Sequence, residues 1–267
     1  MTSPVTPRTV VESLLPSSGP VALSDVYHLS AMAGFEAEPA RIAVRRLRVA
    51  GHLAQHGPGR SGFLEETPAG VAHLARDRER IERAFAQDSG DIKWDGRWHL
   101  HAVTVSEQSR PKRDRIVRNL LAMGAAQLST GLLVSARDLT SEIADDFRPY
   151  LASASSDDLT IHGVSEPRAL AEMLWPPEQI IARYPTTADV VKHGNDHSSE
   201  SPELRALLLA TSLLKAVRYE PLLPSTLLPS PWPPTEMRLA WRARWDDLRS
   251  KTTFDIYPDW LRERAWA

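Results

Sequence analysis

The stretch from Pro39 to Ala50 constrains this chain more than any other. On a helical wheel of about 100° per residue, Ala40, Ala43, Val44 and Leu47 share one side and belong against a core. Arg41, Ile42, Arg45, Arg46 and Val49 cover the other side, with Arg48 at the flank. A helix that is apolar inside and arginine-rich outside fits a major groove. Guanidinium groups bond phosphate oxygens as charged forks and pair with the guanine edge, and Ile42 is placed to meet a thymine methyl. Between Glu38 and Arg60 there are five arginines and one glutamate.

The residues after this helix point the same way. Gly51 is placed to cap it. Two short strands then flank a Gly-rich turn, Gly57-Pro58-Gly59-Arg60-Ser61-Gly62, with Arg60 and Ser61 at the tip. This pattern reads as the wing of a winged helix, whose tip arginine reaches a minor groove or its phosphates. The loop lacks the Lys-Ser/Thr ending of a phosphate-cradling P-loop. Two helices precede the basic one, Pro7 to Leu15 (capped by Thr6) and Ser24 to Met32, ended by Ala33-Gly34. A fourth runs from Ala69 to about Phe85.

Global numbers set the bounds. The 267 residues exceed an ordinary single domain, and a net charge of -2 confines any nucleic-acid contact to a local patch. With no cysteine, disulfides, thiolate metal sites and cysteine nucleophiles are excluded. No run is long and apolar enough to span a bilayer and no signal peptide opens the chain, so the expected compartment is the cytoplasm. Tryptophan is absent before Trp94, and prolines cluster from Pro221 to Pro234. These shifts divide the chain into 1-88, 94-175 and 176-267.

The middle region reads as β, α, ββ, α, β and a trailing helix: a strand Trp98 to Val105, a helix Arg110 to Met123, strands Ala126 to Leu128 and Gly131 to Ser135, a helix Glu142 to Leu151, a strand Leu159 to Val164 and a helix Arg168 to Leu174. That order fits a ferredoxin-like sandwich. The third region reads as helical, Glu203 to Tyr219 and Glu236 to Leu248, around an irregular Pro-rich stretch. Leu239, Trp241, Trp245 and Leu248 are available for a core or a dimer interface. The fold class is therefore α+β: a winged helix-turn-helix, a ferredoxin-like middle domain and a helical C-terminal domain.

Three separated motifs resemble the PaaX family: Ala40-Arg41-x-Ala43-Val44-x-Arg46-Leu47 with Gly51-x-Leu53 and the Gly-Arg-Ser wing, then Trp94-Asp95-Gly96-Arg97-Trp98, then the Pro-Leu-Leu-Pro segment that runs to Trp232-Pro233. The resemblance implies a repressor of phenylacetate degradation genes, released from its operator by phenylacetyl-coenzyme A, and relatives govern other genes. Arg45 stands where the family usually has a small hydroxyl residue and His52 where an aromatic is common, so the expected operator differs from the family's usual one. The resemblance also implies a middle domain similar to a CRISPR adaptation nuclease. Those enzymes hold metal with an Asp at the end of the first strand, and Trp98 to Val105 has no acidic residue.

The expectations are then a DNA-binding regulator, not an enzyme, that binds a palindromic site as a homodimer. It needs no cofactor, and an acyl-coenzyme A thioester is its implied effector. Arg97, Arg113, Arg115, Arg183 and Arg218 are candidate partners for that ligand's phosphates and read equally well as surface or ion-pair arginines, so the effector site stays unassigned. The rival readings are a winged-helix scaffold that joins proteins without touching DNA, and a metal nuclease. His193 and His197 have a spacing that binds metal on a helix, but Gly194 and Asn195 argue for a loop. His99 and His101 share a strand face and read as packing residues.

Overall fold

The computed structural model describes residues 5–184 and 201–261. They form two compact units. The first comprises the described residues of Met1–Glu82, Tyr184–Ala216 and Glu236–Ala267, and the second Arg83–Arg183 and Val217–Thr235. The region 176-267, expected as one helical domain, is thus divided between them.

The first unit opens with α1 (Pro7–Ser13), β1 (Val21–Ala22), α2 (Leu23–Met32) and α3 (Ala37–Val49). The Thr6 hydroxyl accepts from the Thr9 N–H at 3.1 Å and caps α1, with Pro7 in the first turn. Helix α3 ends as a glycine-capped helix should: Gly51 has φ +76°, its N–H donates to Arg48 O, and His52 N–H donates to Leu47 O, both at 2.9 Å. Strands β2 (Leu53–His56) and β3 (Phe63–Glu66) follow as an antiparallel hairpin. β1 pairs with the other edge of β3. Val10, Val11, Val26, Leu29, Ala40, Val44, Leu47 and Leu64 are buried and fill the space between these helices and the sheet.

Helix α4 (Pro68–Asp88) then leaves the hairpin. Thr67 joins three segments at its start. The Thr67 hydroxyl accepts from Gly70 N–H at 3.1 Å and donates to Gly51 O, and the Thr67 N–H donates to His52 O at 3.1 Å. Gly70 is obligatory here, because a Cβ would lie 2.1 Å from His52 O.

The same unit contains α8 (Pro202–Val217) and α9 (Pro233–Arg249), apart from their short ends in the second unit. Trp241 and Trp245 are buried and stacked, and the Trp241 indole N–H donates to Leu209 O at 2.9 Å. Leu248, one turn further along α9, is also buried, whereas Leu239 is exposed. The chain after α9 returns to the N-terminal helices. Tyr257 N–H donates to Ser13 O, Asp259 accepts from Ser17 N–H, and Trp260 stacks on Tyr257.

The second unit is built on a four-stranded antiparallel sheet of β4 (Trp98–Val103), β5 (Ala126–Ser129), β6 (Leu132–Ser135) and β7 (Leu151–Ser156), in the order β5-β6-β4-β7. That order, with the first and third strands central, is the ferredoxin-like one. Helix α5 (Arg110–Ala122) packs on it through Ile116, Val117 and Leu120. Helices α6 (Pro167–Leu174) and α7 (Pro177–Ile181) follow in this unit, which also takes the end of α4 from Arg83.

Two expected elements differ. Residues 142–151, read as a helix, form turns ending in a 3-10 turn at Arg148–Tyr150, and the fourth strand is Leu151–Ser156. The apolar spacing holds, since Ile143 and Phe147 enter the core, but Pro149 and the pairing of β7 with β4 override the helical pattern. Leu159 to Val164, read as a strand, is a tight turn with a single bridge from Ile161 to Val164, because His162 (φ +51°) and Gly163 (φ +81°) are both left-handed.

Candidate nucleic-acid interface

Helix α3 presents the faces its periodicity demands. Ala40, Ala43, Val44 and Leu47 are buried, Arg41, Arg45, Arg46 and Arg48 are exposed, and Ile42 is half-buried. Val49, at 85% exposure, extends the outer face as an unshielded apolar group.

The four arginines are not equivalent. Arg41 lies 3.5 Å from Glu38, and the Tyr27 side chain, then Glu38, holds its guanidinium above the ordinary arginine range. Arg48 donates from Nη1 to Gln55 Oε1 on β2 at 3.2 Å, and Gln55 donates in turn to Gly57 O at 3.3 Å. The Arg45 and Arg46 side chains make no hydrogen bond or ion pair with any described residue. Two exposed cations without an acid, one turn inside a helix end, are positioned for an external anion.

The hairpin stands beside this helix in the same unit. Its tip is a short 3-10 turn, Gly59–Ser61, which contains Arg60 and Ser61. Ser61 is exposed, and its hydroxyl donates to Pro58 O at 3.1 Å. The close approach of Gly62 to the His56 and Gly57 carbonyls, where a Cβ would lie 2.8 and 2.7 Å away, explains why the tip is glycine-rich. Just below the tip the hairpin holds His56 3.2 Å from Glu65 and stacked on Phe63.

Sequence periodicity identifies these arginines but not Gln55. It sits on a strand, and its link to Arg48 depends on the hairpin folding back toward the helix. Gly70 escapes sequence reasoning for the same reason.

Elsewhere the candidates separate. His101 is buried, with Nε2 3.0 Å from Ser135 Oγ and Nδ1 3.3 Å from Ser153 Oγ, and burial, then His99, lowers its pKa. His99 lies 3.1 Å from Asp95. Both act as packing and hydrogen-bonding groups of β4. His193 and His197 lie outside the described residues, among which no group of His, Asp and Glu is placed to hold a metal. No helix of the described residues is long and apolar enough to cross a membrane.

Fold and site together define an α+β protein with a basic helix and hairpin in one unit and an antiparallel four-stranded sheet in the other. Residues 91–168 match the family model described as the PaaX protein central Cas2-like domain, so the resemblance to the PaaX family is borne out through that domain. Over most of its length the chain is similar to the solved structure of an uncharacterized protein, Rv0674, from Mycobacterium tuberculosis. The two share 20% identity, the match covers 92% of this chain and 97% of that chain, and the TM-score is 0.62. No curated protein matches the chain.

Proposed function

We propose that this protein is a DNA-binding transcriptional regulator in which α3 and the β2–β3 hairpin act as a winged helix-turn-helix. The observation that carries the reading is the outer face of α3, where Arg45 and Arg46 are exposed and unpaired beside Arg41 and Arg48. Arg41, Ile42, Arg45 and Arg46 enter the major groove, Arg48 flanks it, and Arg60 and Ser61 meet the adjacent backbone or minor groove. The central PaaX domain supports the regulator class, because that family is one of regulators rather than enzymes.

The finer reading is a cytoplasmic repressor that binds a palindromic operator as a homodimer. A small-molecule effector, an acyl-coenzyme A thioester such as phenylacetyl-coenzyme A or a relative, releases it. Release requires only that the ligand bind the DNA-incompetent state more tightly.

The test is a mobility shift on duplex DNA from upstream of the protein's own gene, titrated with salt and with a panel of acyl-coenzyme A thioesters. A specific shift whose affinity falls steeply with salt, by a slope of about −0.9 per phosphate contacted, supports DNA binding. Loss of the shift with one thioester identifies the effector. No shift at low salt on any upstream fragment overturns the reading in favour of a protein-joining winged-helix scaffold.

A further inference from the structure

Of the five arginines that are candidate partners for the implied effector's phosphates, two meet at one ring. Arg97 is engaged by Ser155, with Nε 3.1 Å from Ser155 Oγ. Arg113 lies 3.7 Å from Asp114. Arg115 lies 3.8 Å from Asp146 and rests over the Phe147 ring. Arg183 and Arg218 are different. Both are exposed, and their guanidinium carbons lie 5.8 and 5.7 Å from the centroid of one ring, that of Tyr219, which is itself 57% exposed. Neither guanidinium makes a hydrogen bond or ion pair with a described residue.

We infer that Arg183, Tyr219 and Arg218 form a phosphate-binding site of the second unit, built for the phosphate groups of a small ligand. Two like charges meet one aromatic ring, and no carboxylate among the described residues pairs with either. The ring attracts each guanidinium but leaves its N–H groups without acceptors. Arg218 follows the end of α8 (Pro202–Val217), whose free carbonyls favour a cation there. That accounts for one charge. It does not account for a second, which arrives from the separate segment after α7 (Pro177–Ile181). A phosphate-bearing ligand at the ring gives each fork the acceptor it lacks, and the Tyr219 hydroxyl is a further donor. The site lies in the unit that does not contain α3, and the inference does not depend on DNA binding.

The test is calorimetric titration of the full chain at low salt with inorganic pyrophosphate and with ADP. Arg183→Gln, Arg218→Gln, the double variant and an Arg97→Gln control are measured alongside. Binding of either probe by the wild type, about tenfold weaker in each single variant and lost in the double, is the expected result. Tighter binding of ADP than of pyrophosphate assigns the site to a nucleotide-bearing ligand, and equal binding assigns it to the phosphates alone. Unchanged affinity in the double variant, or no binding of either probe by the wild type, overturns the proposal. In a parallel titration with duplex DNA, a loss in the double variant as large as that for pyrophosphate would make the site a DNA-backbone contact and overturn its assignment to a small ligand.

Discussion

Arg48 on α3 donates a hydrogen bond to Gln55 on β2, with Nη1 3.2 Å from Oε1. The bond ties the basic helix to the hairpin and fixes where one of its four arginines points. Gln55→Ala removes the tie and leaves the charge. Its expected effect is a loss of about 0.5–1.5 kcal/mol in DNA affinity, smaller than that of Arg48→Ala. Fluorescence anisotropy on a labelled operator measures both, and a Gln55→Ala variant equal to wild type would show that the bond orients nothing.

Arg45 and Arg46 carry the proposed interface most directly. Arg45→Ala and Arg46→Ala are each expected to weaken operator binding by about 1–3 kcal/mol if the side chain reads a base. A side chain that contacts only phosphate instead weakens all sequences alike and lowers the salt slope by about 1. Comparison of operator and random duplex across a salt series separates the two.

Gly70→Ala tests the rigidity of the interface without touching it. The added Cβ would meet His52 O at 2.1 Å, and both partners are backbone held by Thr67. A destabilisation of at least about 2 kcal/mol is expected, read as a lowered denaturant midpoint. A midpoint within error of wild type would mean that the α3–hairpin junction has room to shift.

Glu66, at the base of the hairpin, makes the first unit sensitive to pH. Burial, then the Asp259 and Glu12 carboxylates, push its carboxyl up to about 7 against the pull of Arg78. A raised folded pKa means that the folded state holds the proton more tightly than the unfolded chain. The contribution is therefore fully present below the unfolded value of about 4.5 and is lost as pH rises through 7. Relative to Glu66→Gln, the wild type is expected to lose thermal stability across that window. Parallel melting curves of the two proteins from about pH 4.5 to 8 would rule this out.

His101 has the opposite sign. Burial, then His99, lowers its pKa, so the folded state favours the neutral ring between Ser135 and Ser153. The stability it lends is lost as pH falls below the ordinary value of 6.5, where the unfolded chain takes up the proton. His101→Ala is expected to cost about 2–4 kcal/mol at about pH 7.5 and to flatten this acid limb, as measured by urea unfolding at several pH values.

The parts of the fold legible in the sequence are those governed by local rules. Helix α3 is readable because Ala40, Ala43, Val44 and Leu47 recur at helical spacing and Gly51 marks its end. The hairpin is readable because glycines bracket Arg60. Strand β7 is not. Leu-Ala-Ser-Ala-Ser-Ser contains no β-branched or aromatic residue, and it is a strand because β4 supplies a continuous partner from Trp98 to Val103. The unpaired state of Arg45 and Arg46 is equally out of reach, since it depends on which carboxylates the fold leaves nearby.

The first unit draws on three separate stretches of chain, and the backbone of Tyr257 bonds that of Ser13. This has a consequence during synthesis. The basic helix emerges from the ribosome before the aromatic segment, and the unit that holds it cannot close until Tyr257 has been added. At roughly 5–20 residues per second, that delay is on the order of tens of seconds. Throughout it the helix belongs to a nascent chain without the aromatic closure provided by Tyr257 and Trp260, so the unit that holds the basic helix matures only after that segment has been made.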